Sequence, residues 1–172
     1  MKKSTLKISL FGILAAVAIT LSFFESLVPI TPFLPPGAKL GLSNIATMFV
    51  SASMGFIPAM LLTFIKAFFA GITRGATSFF MSLCGGILST GAMYLLFRYT
   101  KKVGFIGIGI ISAIMHNLGQ LIVATIMIGS SAAIGYAPFL IVFGVVSGIL
   151  TGIVLKAIMP HMLNIIKGKG GE

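Results

Sequence analysis

The sequence predicts an all-α integral membrane protein, one bundle of six transmembrane helices with both termini in the cytoplasm. Three observations point to it. Hydrophobic residues make up 58% of the 172-residue chain and charged residues only 8%, against about 25% charged in a soluble domain. The apolar residues gather into six runs, most of them near the ~20 residues that span a bilayer. The basic residues fall mostly in the tails and in short breaks between these runs. Hydrocarbon leaves no backbone group to water, and the runs lack the alternation of strands, so the spanning elements are helices.

Taken in order, the runs cover residues 8–28, 40–53, 56–73, 78–97, 103–128 and 137–159. The first follows Lys2, Lys3 and Lys7. With Ala16-Val17-Ala18 it also fits a signal peptide, but the apolar run continues to Val28 and favours a retained span. A break from Pro29 to Gly37 follows, too rich in proline for helix. The second run is short and needs shielding by its neighbours. Ser53-Met54-Gly55 ends it, Arg74-Gly75-Ala76-Thr77 ends the third, Arg98 to Lys102 the fourth, and Gly129 to Tyr136 the fifth. The sixth run carries Gly144, Gly148 and Gly152 at four-residue intervals, a stripe for close helix packing.

Loop charge sets the expected orientation. With the N-terminus inside, the cytoplasmic face receives Lys2, Lys3, Lys7, Arg98, Lys101, Lys102, Lys156, Lys167 and Lys169, and the outer face only Lys39 and Arg74. This is a strong positive-inside bias. It accounts for the formal net charge of +10 as topogenic charge facing an anionic leaflet. No basic groove follows a phosphate backbone, which argues against nucleic acid as a partner.

The same orientation gathers the polar residues into one outer layer: Glu25, Lys39, Asn44, Lys66, Arg74, His116, Asn117 and Gln120. Lys66 stands out, because it lies inside an apolar run where an ammonium group costs on the order of 3 kcal/mol or more. Lys66 and Arg74 are eight residues apart with Ala70 between, so they share a helix face, as do His116 and Gln120. Three cations, Lys39, Lys66 and Arg74, against Glu25 favour a phosphate, diphosphate or carboxylate ligand. Asn44, His116, Asn117 and Gln120 would orient the rest of it. The bland alternatives are that Lys39 and Arg74 snorkel, that Lys66 pairs with Glu25, and that the amides and imidazole hold helices together.

Absences narrow the chemistry. The chain has no aspartate, so it lacks the aspartates that hold Mg²⁺ on a prenyl diphosphate. It has no GxxxxGK[ST] loop. No serine or cysteine nucleophile has a base and an orienting carboxylate in evident reach. Cys84 is alone and the histidines are far apart, so neither a disulfide nor a metal site is expected. Neither catalysis nor a cofactor is expected.

Three segments carry a family resemblance: Pro36 to Thr47 (PGAKLGLSNIAT), Ser82 to Gly86 with Ser89, and Ala113 to Gln120 (AIMHNLGQ). They resemble the signatures of the Gx transporter family, also labelled heptaprenyl diphosphate synthase component I. That family is similar to the substrate-binding S components of energy-coupling factor transporters. The resemblance implies a six-helix protein with a vitamin-type site near the outer face, covered by the first loop, here residues 29–37. It also implies docking, through small residues of the first helix, to a transmembrane subunit driven by two ATPases. Where S components carry alanines four apart, this chain has Gly12, Ala16 and Thr20. Some members serve flavin-based extracellular electron transfer, whereas the synthase label points to an isoprenoid diphosphate. Three readings follow: an S component for a small anionic solute in a bacterial cell membrane, a non-catalytic membrane partner of a prenyl diphosphate synthase, and a stand-alone secondary carrier.

Overall fold

Glycine sets two of the corners. Gly55 and Gly75 hold φ of 95° and 89°, a backbone region that residues with a Cβ rarely enter. They divide a long apolar stretch into three helices. The structure, a computed structural model, describes residues 3–27, 41–100, 102–129 and 131–166. Its α-helices are α1 (Lys3–Leu27), α2 (Ser43–Met54), α3 (Phe56–Arg74), α4 (Ala76–Tyr99), α5 (Phe105–Ile128) and α6 (Ala137–Ile166). There is no strand among the described residues. All six expected helices are present, with ends moved by a few residues except at the start of α1 and the end of α6. The break after α5 contains a 3-10 helix, Ser131–Tyr136, and α6 continues through Pro160.

Five helices are long and apolar enough to cross a membrane: α1, α3, α4, α5 and α6. The chain is therefore a multi-pass membrane protein. Many large apolar side chains of these helices face outward, among them Ile57, Phe68, Ile126 and Val142, as lipid contact requires. The 12-residue α2 is different. Every residue from Ser43 to Ser51 is buried, and the helix touches α1, α3, α4 and α6. The shielding that its shortness demanded comes from these four neighbours.

Successive helices alternate in direction, so the bundle has an Arg74 end and a Tyr99 end. The apolar core fills the half nearer Tyr99: Leu10 and Leu14 of α1, Phe49 and Val50 of α2, Leu62 of α3, Met93 of α4, Ile108 of α5 and Leu155 of α6. The α5–α6 seam is closed by glycine. A Cβ on Gly148 would lie 2.4 Å from Ile110 Cα, and one on Gly152 would lie 2.5 Å from Ile106 Cα. The stripe in α6 is thus internal packing.

Candidate functional site

The half of the bundle nearer Arg74 holds the buried charged and amide residues. Lys66 is carried to mid-helix on the buried face of α3, 8% exposed. Its Nζ donates to Asn44 Oδ1 at 2.9 Å and to Thr47 Oγ1 at 3.2 Å, both on α2. Asn44 and Thr47 are three residues apart, one turn of helix, and so present their oxygens side by side. An ammonium has three donors, and two are directed at neutral oxygens.

Glu25, near the end of α1, is also buried. Its Oε1 accepts the backbone N–H of Leu42 at the entry of α2. Helix N-termini leave N–H groups without intrahelical partners and carry a partial positive charge, so the carboxylate caps α2. Lys66 and Arg74 both lie within Coulombic reach of Glu25. Arg74, at the last turn of α3, is half-buried, and its Nε donates to no oxygen among the described residues.

The α5 residues occupy the other side of α4. Gly85 and Gly119 bring the two backbones together. A Cβ on Gly119 would lie 2.6 Å from Gly85 Cα, and one on Gly85 would lie 2.6 Å from the His116 carbonyl and 3.1 Å from Gln120 Cγ. His116 and Gln120 are thereby held against α4, Gln120 only 4% exposed. Asn117 turns the opposite way, and its Nδ2 donates to the Leu140 carbonyl of α6 at 2.8 Å. Between the two groups, Thr63 and Thr90 share a buried hydrogen bond of 2.7 Å that ties α3 to α4.

The structure therefore joins Lys66 to Asn44 and Thr47 and puts Glu25 at the entry of the same helix, with Arg74 two turns along α3 from Lys66. It places His116 and Gln120 at the α4–α5 contact and Asn117 at the α5–α6 contact. Lys39 and the loop 29–37 lie outside the described residues. Thr47 carried no role in the sequence reading and was legible only as the residue one turn beyond Asn44. Glu25 was read there as a counter-charge, but its capping of α2 depends on a backbone N–H, which has no mark in a sequence. Among the described residues, no group of three His, Cys, Asp or Glu side chains could hold a metal ion.

The arrangement is suited to binding an anion: buried cationic and amide donors, held by neighbouring helices, with one carboxylate among the described residues. No curated protein matches the chain, and neither does any solved structure. A family model described as heptaprenyl diphosphate synthase component I matches residues 14–158. This range runs from α1 into α6 and includes all three motifs, so the chain belongs to the heptaprenyl diphosphate synthase component I family, the one its motifs resemble.

Proposed function

We propose that this chain is the membrane-embedded solute-binding subunit of an energy-coupling factor-type transporter in a bacterial plasma membrane. The solute is a small anionic, vitamin- or cofactor-like molecule, and a flavin nucleotide serving extracellular electron transfer fits it best. The observation that carries the reading is the setting of Lys66, a buried ammonium whose hydrogen bonds go to the neutral oxygens of Asn44 and Thr47. A buried charge is stable only with compensation; an anionic solute beside Lys66 and Arg74 would add to what Glu25 alone provides. Energy must come from outside the chain, which has no nucleotide-binding loop. The surface of α1 supports a docking role: Gly12, Ala16 and Thr20 are exposed, and a Cβ on Gly12 would have nothing within 4 Å.

The test is mass spectrometry of small molecules released from protein purified in mild detergent, wild type beside Lys66→Ala. A flavin, or another anionic cofactor, at near-stoichiometric amount in the wild type and at least about 100-fold depleted in the variant is expected, a loss of roughly 2.7 kcal/mol. Equal occupancy in both would sink the anion site.

The family description favours a second reading, a non-catalytic membrane partner of a prenyl diphosphate synthase. With no aspartate in the chain, the diphosphate-bound Mg²⁺ would be held by a separate, aspartate-rich subunit. Stable co-purification with such a synthase, and a changed product length when this chain is deleted, would support this reading over transport.

A further inference from the structure

Glu25 is the one carboxylate among the described residues, and it meets the start of α2, where Lys66 is also bonded. It is 7% exposed and accepts the Leu42 N–H, two residues before the Asn44 that holds Lys66, and its charge acts on Lys66 and Arg74. This is a paradoxical residue for an anion site, since a like charge near a ligand weakens its binding. It makes sense for the unliganded protein, where buried cations without a counter-charge are strongly destabilising. We propose that Glu25 is the resident counter-anion of the empty site, and that an anionic solute binds against it, taking over its role toward Lys66 and Arg74. The inference rests on the anion-binding reading above and adds what sets the affinity. Glu25 holds α2 and the cations in place while the site is empty, and keeps the bound anion loose enough to leave.

The geometry provides a clean variant. In Glu25→Gln the amide oxygen still accepts the Leu42 N–H, so the cap survives and only the charge is lost. Stability and affinity should then move in opposite directions. The unliganded protein should melt a few degrees lower. Pyrophosphate, the diphosphate shared by flavin adenine dinucleotide and isoprenoid diphosphates, should bind about tenfold tighter, the range of ordinary coupling between sites. The double variant Glu25→Gln/Lys66→Met removes one charge of each sign. It should recover part of the lost melting temperature and bind no pyrophosphate.

The measurements are melting temperature and calorimetric titration of the full chain in detergent, for wild type and both variants. A lower melting temperature with tighter pyrophosphate binding supports the inference, because a general defect would weaken both. Binding by the wild type that is unchanged or weaker in Glu25→Gln overturns the inference and leaves the anion site standing. Unaltered melting of Glu25→Gln also overturns it. Pyrophosphate bound by neither protein would overturn the anion-binding reading itself, and leave Glu25 as a structural counter-charge only.

Discussion

At the scale of single residues, a donor's partner decides whether it serves architecture or ligand. The Asn117 amide nitrogen is spent on the Leu140 carbonyl. Asn117→Leu should therefore loosen the α5–α6 contact by about 1 kcal/mol, the usual worth of an interhelical bond in a membrane. Solute affinity should change less than threefold by equilibrium binding, roughly 0.6 kcal/mol. The Asn44 Oδ1 instead accepts from Lys66. Asn44→Leu removes half of the ammonium's hydrogen-bonded support, and a loss of about 1–3 kcal/mol in thermal stability is expected, with solute binding weakened at the same time. The contrast between the two asparagines was not legible in the sequence. Both are amides in apolar runs, and what separates them is a carbonyl on another helix. Lys66 was legible, because a charge deep in an apolar run is costly enough to need a reason. Thr47 was not, since a threonine in a membrane helix satisfies its own hydroxyl on the preceding turn at little cost, as Thr63 does on the Ala59 carbonyl.

At the scale of helices, glycine has two roles that substitution can tell apart. Gly85 lies at a backbone contact, and a Cβ there meets the His116 carbonyl at 2.6 Å. Gly85→Val should push α4 from α5, displace His116 and Gln120, and reduce both melting temperature and solute occupancy. Gly12 has nothing within 4 Å of its Cβ direction. Gly12→Leu should leave folding and binding intact, yet lower uptake in cells that hold the complete transporter, if α1 is the docking face. A Gly12→Leu protein with full uptake would remove that face from the proposal. The helices themselves were readable from runs of apolar residues, and their ends from glycine and proline, because these act locally. The 3-10 turn at Ser131–Tyr136 was not readable, since its residues carry no periodic pattern. The extension of α6 past Pro160 was hidden for another reason: proline ordinarily interrupts a helix, and the neighbouring turns of α6 override it here.

At the scale of the molecule, the bundle divides by chemistry along its axis. One half holds the main aliphatic and aromatic cluster, and the other the buried charged and amide side chains Glu25, Asn44, Lys66, Asn117 and Gln120. A solute at Lys66 thus has the apolar half beneath it, with Phe49, Leu62 and Met93 almost fully buried. This closed core predicts that the chain alone, in liposomes, binds solute without accumulating it, and that accumulation appears only when a coupling module and ATP are added. Uptake by the chain alone would favour the stand-alone carrier. The division also bears on how the protein is made. A 12-residue helix is about 18 Å long, well short of a hydrocarbon layer of ~30 Å, and α2 carries Asn44, Thr47 and Ser51. It precedes Lys66 by only a short stretch of chain. Neither α2 nor Lys66 is at ease in lipid until they meet, so α2 and α3 must enter the bilayer as a hairpin, and the contact that prepares the binding site is also a step in membrane insertion.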